Sequence, residues 1–437
     1  MGIALDGLYF SLHPNQWGML IKWKLRQFSL HARHESQQSA TAKVCFEFLD
    51  QTSRSFSPVI KELHRELRMP VCVFYLILRG LDTIEDDTSI PLDVKQSLLR
   101  SFKDNLDDYD WNFTGNRPEE KDRELLVQFH NVIAEFWKLE QTYQAIIKDI
   151  TQRMGTGMAD FAGKAALGYG KVTSVEEYDL YCWHVAGIVG EGLTHLFVEA
   201  GMGDKNLINQ PLYRSMGLLL QKNNIIRDVR EDFDDDRQFW PREIWSKHID
   251  NFEDLFDPKF LKSALNCSSE MVLNAIEHCR DCLSYLAGLN EQSVFNFCAI
   301  PQTMALATLE LCFHNPAIFQ QNVKLTKRDA LDLMIHSSRD IEGVANIFCH
   351  YVRRIQQKND KEDPNYVRIK VECEEIEKLA NTLVSKSSIE LAGEKTSDIG
   401  HRARPHPEQM LVSCQWAIAL IFFALGMLWL IVRGDSS

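Results

Sequence analysis

Residues 71–86 restrict the possible folds more than any other stretch. The apolar run Val71-Cys-Val-Phe-Tyr-Leu-Ile-Leu78 is too long and too rich in helix formers to be a lone strand. It leads straight into Arg79-Gly-Leu-Asp82-Thr-Ile-Glu85-Asp86. On a helix, Asp82, Glu85 and Asp86 stand at i, i+3 and i+4, which stacks three carboxylates on one face. Like charges so placed repel by roughly 0.2–0.5 kcal/mol per pair, and a cation would offset that. Mg²⁺ fits, because it takes oxygen ligands, keeps several waters and is shared between one or two carboxylates and a substrate phosphate. For one such triplet alone, a solvated acidic helix face is the alternative.

The pattern recurs. Met216-Gly-Leu-Leu-Leu-Gln221 is a second helix-like apolar stretch, followed by Asn224-Ile-Ile-Arg227-Asp228-Val-Arg-Glu231-Asp232. Asp228, Glu231 and Asp232 repeat the spacing, and each triplet has an arginine nearby, Arg79 or Arg227. Two facing acidic helices could hold Mg²⁺ between them while the arginines contact phosphate oxygens bidentately. Such a site eases the loss of diphosphate by neutralising the leaving group. The net charge of −13 argues against a nucleic-acid partner. No G-x-G-x-x-G follows a strand pattern, so any dinucleotide binds without a Rossmann unit. The 11 cysteines are scattered, and Cys279-Arg-Asp-Cys282 lacks the βαβ context of a redox motif. Free thiols fit a reducing compartment.

Taken in order, residues 42–68 read as the first core helix, within which Ser53-Arg54-Ser55 offers two hydroxyls and a guanidinium to an anion. Residues 91–123 are polar, with Pro91, Gly115 and Pro118 marking turns, and helical periodicity returns over 124–154. The glycines Gly155, Gly157, Gly163, Gly168 and Gly170 are expected to break that pattern into a loop or short helices. Residues 175–200 form another helix, carrying Tyr181, with Gly187, Gly190 and Gly192 suggesting close helix approach. Residues 210–235 carry the second acidic helix, which ends in the solvated run Asp234-Asp-Asp236. Within 255–320, Phe295, Phe297, Cys298 and Ile300 form an apolar cluster ended by Pro301.

Residues 411–432 fit a membrane-spanning helix, which needs about 20 apolar residues. Arg402 and Arg404 on its near side put the large domain in the cytoplasm. With no signal-peptide pattern, this reads as a tail anchor inserted after synthesis, into the endoplasmic reticulum membrane. The expected division is an N-terminal segment 1–40 packed on the core, an all-α catalytic domain 41–355, a charged helix and flexible linker 356–410, and the anchor 411–432.

These stretches carry a resemblance. Ser53-Arg-Ser-Phe56, Phe74-Tyr-Leu-Ile-Leu-Arg79, Asp82-Thr-Ile-Glu-Asp-Asp87, Arg153-Met-Gly-Thr-Gly-Met158, Tyr181-Cys182, Leu220-Gln-Lys-Asn-Asn-Ile-Ile-Arg-Asp228, Phe239-Trp-Pro241 and Gln292-Ser-Val-Phe-Asn-Phe-Cys-Ala-Ile-Pro-Gln302 run in family order over most of 45–330. The chain resembles the squalene/phytoene synthase family, and within it the fungal-type squalene synthases: head-to-head prenyl transferases of the all-α isoprenoid (class I terpene) synthase fold. The phytoene-forming branch shares the acidic motifs but not the Phe-Asn-Phe-Cys-Ala-Ile-Pro run or the C-terminal anchor.

The resemblance implies condensation of two farnesyl diphosphates to presqualene diphosphate, then reductive rearrangement to squalene with NADPH, by a monomeric catalytic domain. It implies Mg²⁺ on Asp82, Glu85, Asp86, Asp228 and Asp232. Ser53, Arg54, Ser55, Arg79, Lys121, Gln221, Asn224 and Arg237 would contact the substrate, while Phe56 and Tyr75 offer aromatic faces to cations. Phe297, Cys298 and Pro301 would wall the second reaction pocket. Arg54, Arg79, Arg227 and Lys324 would serve the cofactor. The family has Lys-x-Arg where this chain has Lys324 and then Thr326, and Lys327 or Arg328 can substitute. Tyr181 is the candidate base for closing the cyclopropane, although an unperturbed phenol with a pKa of about 10 needs help from the departing diphosphate or nearby arginines. Thr326, and Asp87-Thr-Ser-Ile90 after the acids, leave two rivals open. One is an enzyme that stops at presqualene diphosphate, makes another C30 product, or duplicates the activity with altered inhibitor sensitivity. The other is an inactive membrane-tethered scaffold.

Overall fold

The computed structural model describes residues 38–53, 56–164 and 172–397, with side chains described through residue 385 apart from Lys164. Helices account for the architecture. They are α1 Ala40–Thr52, α2 Phe56–Lys61, α3 Arg65–Asp86, α4 Leu92–Asn105, α5 Arg123–Val127, α6 His130–Phe136, α7 Gln141–Lys164 and α8 Val175–Cys182. A π-helical turn, Trp183–Gly187, joins α8 to α9 Ile188–Glu199. There follow α10 Asn206–Asn209, α11 Leu212–Arg227, α12 Val229–Asp234, α13 Arg242–Trp245, α14 Leu261–Ile276, α15 Cys279–Ala287, α16 Gln292–Cys312, α17 Lys327–Ser337, α18 Ile341–Lys358 and α19 Tyr366–Ser397. Among the described residues the one β-type pairing is an isolated bridge, Gly203 to Leu289.

The apolar run expected to be helical is the middle of α3, where Val71–Leu78 is buried except for the partly exposed Tyr75. Burying each such side chain contributes roughly 1.5–3 kcal/mol relative to exposure. α3 packs against α1, α6 and α7, and α11 packs against α16, α15, the π-helical turn and α9. The two helices that end in acids therefore sit inside the bundle.

Several boundaries differ from expectation. Residues 42–68 are three segments rather than one helix. α1 stops at Ser53, whose hydroxyl accepts from the backbone N–H of Phe56 at 3.0 Å and restarts the chain, with Pro58 in the first turn of α2. α4 forms within the stretch read as polar, burying Leu99 and Phe102.

α7 runs straight through Gly155, Gly157 and Gly163, so these do not break it; Gly168 and Gly170 lie outside the described residues. Gly155 serves close packing instead: a Cβ there would lie 2.2 Å from the carbonyl oxygen of Leu99 on α4. Close approach does hold where it was expected, since a Cβ at Gly190 would lie 2.6 Å from the carbonyl oxygen of Tyr213 on α11. Across the same contact, a Cβ at Gly217 would lie 2.4 Å from the carbonyl oxygen of Ala186.

α16 continues through Pro301 to Cys312 instead of ending there. It is also the one described helix long and apolar enough to cross a membrane, and it is mostly buried in the core. The anchor expected at 411–432, and all but the last residues of segment 1–40, lie outside the described residues.

The compact body closes at Ser385 rather than 355. The charged stretch after 355 hides an apolar stripe, Ile369, Cys373, Ile376 and Ala380, all buried at helical spacing on α19. Beyond Ser385, the helical backbone is described to Ser397.

Candidate active site

The last turn of α3 presents Asp82, Glu85 and Asp86, and behind them Asp87 is fully buried. Asp87 is an anchor. It accepts from the Ser89 hydroxyl at 2.6 Å, the Asn116 amide at 2.9 Å and the Arg117 backbone N–H at 3.1 Å. Burial opposes its charge, but these bonds win and hold it at about 2. Arg79 lies 3.6 Å from Asp82 and is gripped by the buried Asp122, at 2.7 Å through Nε and 2.5 Å through Nη2. The Lys95 ammonium donates to the Glu85 carbonyl at 2.6 Å.

The second triplet is not on one helix. α11 ends at Arg227, and Asp228 (φ −97°, ψ 12°) is the joint from which α12 starts. The i to i+4 bond survives, with the Asp232 N–H donating to the Asp228 carbonyl at 2.9 Å. Arg227 forks onto the carboxylate of Asp228 at 2.7 and 2.5 Å. Glu231 turns to Asn322, whose amide donates to it. Asp234, Asp235 and Asp236 are exposed, as expected.

Arg237 joins the clusters. Its guanidinium lies 3.1 Å from Asp232 and 3.9 Å from Asp86. Burial, helped by mutual repulsion, pushes Asp82 and Asp232 up to about 7 and Glu85 to about 8. The cleft therefore holds more carboxylate than its arginines neutralise. No three acidic, histidine or cysteine side chains converge on a single cation position among the described residues.

Tyr181 stacks on Phe239 with ring centres 5.0 Å apart, and Phe161 meets it edge-on at 5.1 Å. Burial first, then the nearby charges of Glu85, Asp86 and Asp232, raise its phenol well above the ordinary value. The phenol thus lies near both clusters and keeps its proton.

Tyr75 donates to the Thr52 carbonyl at 3.3 Å, tying α3 to the break at Ser53, which is buried; Arg54 and Ser55 lie outside the described residues. Phe297 is buried between Phe56 and Phe197, at 6.3 and 6.0 Å between ring centres. Cys298 is buried beside it, and Pro301 is partly exposed one turn on. Gln221 is half-buried, while Asn224 and Lys121 are exposed. Lys324 is exposed on the loop that carries Asn322. Thr326, in place of the family's arginine, caps α17: its hydroxyl accepts from the Asp329 N–H at 3.1 Å and donates to the Asp329 carboxylate at 2.6 Å.

Asp122 and Asn322 are the functional neighbours missed from sequence. The signal for Asp122 is its place between Lys121 and Arg123; Asn322 offers none.

Comparison with known proteins agrees with this geometry. The squalene/phytoene synthase family model matches residues 49–329. A probable squalene synthase of Neurospora crassa is 53% identical over 384 residues, covering 88% of this chain and 80% of that one. The squalene synthase of Saccharomyces cerevisiae is 46% identical over 371 residues, 85% of this chain and 83% of that one. A solved structure of TcSQS with a bound ligand superposes with a TM-score of 0.75 at 38% identity, covering 79% of this chain and 99% of that one.

Proposed function

The chain belongs to the squalene/phytoene synthase family, and from that premise we propose that it is a squalene synthase. It condenses two farnesyl diphosphates head-to-head to presqualene diphosphate and reduces that intermediate to squalene. The observation that carries the reading is Arg237, which draws Asp86 and Asp232 to one cleft beside Tyr181. Nothing in the site or the relatives favours arrest at presqualene diphosphate or an inactive scaffold.

Asp82, Glu85, Asp86, Asp228 and Asp232 would hold Mg²⁺, which supplies positive charge against the leaving diphosphate. The all-oxygen donor set and its surplus negative charge fit that ion. Arg79, held by Asp122, and Arg237 reach for the diphosphate oxygens. Phe56 and Tyr75 give π faces to the allylic cation without quenching it. Tyr181 then takes the cyclopropane proton on its oxygen as its own proton passes to the departing diphosphate, so no phenolate is needed. Phe297 and Phe197 keep the second pocket dry, so that water does not capture the rearranged cation. Lys324 would contact the phosphates of NADPH, which supplies the hydride. Residues 411–432 would anchor the enzyme in the endoplasmic reticulum membrane with the helical body in the cytoplasm.

The test is a product assay with Mg²⁺, with and without NADPH. Squalene is expected with it, and accumulating presqualene diphosphate without it. Presqualene diphosphate as the sole product at saturating NADPH would defeat the two-step reading.

A further inference from the structure

Lys222 is a fully buried lysine, 1% exposed, that the chemistry above leaves unused. Its ammonium lies 2.7 Å from the carboxylate of Asp179 and 2.8 Å from Nε2 of His278, over the face of Tyr178 at 5.4 Å from the ring centre. The chain of bonds continues outward. Ser215 donates to Asp281 at 2.7 Å and stands 3.1 Å from Nδ1 of His278. One tautomer satisfies every link: Nδ1 protonated and donating to Ser215, Nε2 bare and accepting from Lys222. Burial, with Lys222 and Arg214 adding to it, lowers His278 to about 3, so the ring is neutral. The carboxylate in contact with Lys222 is that of Asp179, joined to it as an ion pair rather than by a hydrogen bond.

Asp179 lies on α8, two residues before Tyr181. α8 is only eight residues long and runs at once into the π-helical turn. α11 touches this piece at both ends. At one end Lys222 meets Tyr178 and Asp179. At the other Gly217 lies under the turn, with no room for a methyl group below Ala186. Contacts at both ends of a short segment fix its rotation about its own axis, and that rotation decides where the Tyr181 ring points. An ion pair with its ammonium fully buried suits this task better than apolar contact, because a buried charge that leaves its partner is penalised.

We propose that Lys222 is a positioning residue for the first half-reaction: paired with Asp179, it sets the rotation of α8 and holds Tyr181 against Phe161 and Phe239. The proposal rests on the reading of Tyr181 as the proton acceptor.

The test compares Lys222→Met, Asp179→Asn and Tyr181→Phe in the full chain. It measures presqualene diphosphate formation from farnesyl diphosphate with Mg²⁺, by steady-state and single-turnover kinetics, together with the thermal midpoint. A reacting group displaced by about 1 Å costs on the order of a hundredfold. Lys222→Met should therefore lower kcat by about 10- to 100-fold while KM for farnesyl diphosphate stays within about threefold. Asp179→Asn should lower kcat less, with the same split, and it decides alone if Lys222→Met does not fold. Added to Tyr181→Phe, the Lys222→Met change should cost no further rate, because both act through one hydroxyl. An unchanged kcat with a lowered thermal midpoint would make Lys222 a structural residue and overturn the proposal while leaving Tyr181 in place. A normal rate in Tyr181→Phe would overturn the reading beneath it.

Discussion

Asp82, Glu85 and Asp86 ride on one uninterrupted helix, whereas Asp228 is itself the joint between α11 and α12 and Asp232 lies on α12. The partners differ in the same way. Arg79 is held by Asp122, 43 residues away, while Arg227 is held by its own neighbour Asp228. The first cluster is braced from behind by buried Asp87 and from the side by Asp122. The second is braced mainly by short-range bonds, with Asn322 as its distant tie. Equal spacing in sequence has produced a fixed jaw and a jaw on a joint, and Arg237 spans the two.

The largest effect should come from the carboxylates themselves. Asp82→Asn and Asp228→Asn should each reduce turnover by about a thousandfold or more, the scale of losing a principal electrostatic contact in a transition state. Helical circular dichroism should stay unchanged. The comparison breaks if one variant is inert and the other keeps near-normal turnover, since then only one jaw holds the ion.

The braces come next. Asp122→Asn should cost roughly 10- to 100-fold in apparent Mg²⁺ affinity or rate, as for other groups that orient a metal site from behind. Asn322→Ala should cost less, because Asp228 and Asp232 retain their local bonds. Titrating Mg²⁺ against each variant measures the difference, and equal losses would remove the distinction between the jaws.

That asymmetry also marks what the sequence could and could not reveal. The first triplet was legible because its period is uninterrupted and an apolar run leads into it. The second was legible as a motif but misread as one helix, because the bend at Asp228 is set by what α11 and α12 pack against. Gly155 and Pro301 misled for a related reason. Each is a helix breaker in isolation, yet tertiary packing accommodates both within helices. Asp122 and Asn322 reach their partners across 43 and 91 residues, beyond any local pattern. The apolar stripe of α19 was hidden among charges.

Protons should separate the jaw carboxylates from their anchor. Asp82, Glu85 and Asp232 have raised pKa values, so their contribution to stability is present in acid and is lost as pH rises through about 7 to 8. Asp87 is depressed, so its contribution holds above the ordinary carboxylate value and is lost as pH falls towards about 2. The thermal midpoint of chelator-treated protein should fall between about pH 4 and 8 and level off above that, and Mg²⁺ should restore more of it at pH 8 than at pH 6. A flat profile would mean that the carboxylates are already balanced by Arg79, Arg227 and Arg237.

The smallest effect concerns the rim. Lys324→Ala should raise KM for NADPH by about tenfold, the loss of one charge-assisted contact among several. Thr326→Arg should lower that KM while costing roughly 1 kcal/mol of stability, because it removes the cap of α17. An unchanged KM in both variants would place the cofactor phosphates elsewhere.

The glycine contacts carry a consequence for how such an enzyme can diverge. At Gly155, Gly190 and Gly217 one helix rests directly on the backbone of the next, with no side chain between them. These are spacers of minimum thickness, and they make the bore of the bundle a property of the main chain. Residues lining the interior can drift, and with them the preference for one isoprenoid over another, while the frame keeps its gauge. A methyl group at any of the three positions would do the reverse, leaving the lining intact and forcing the walls apart.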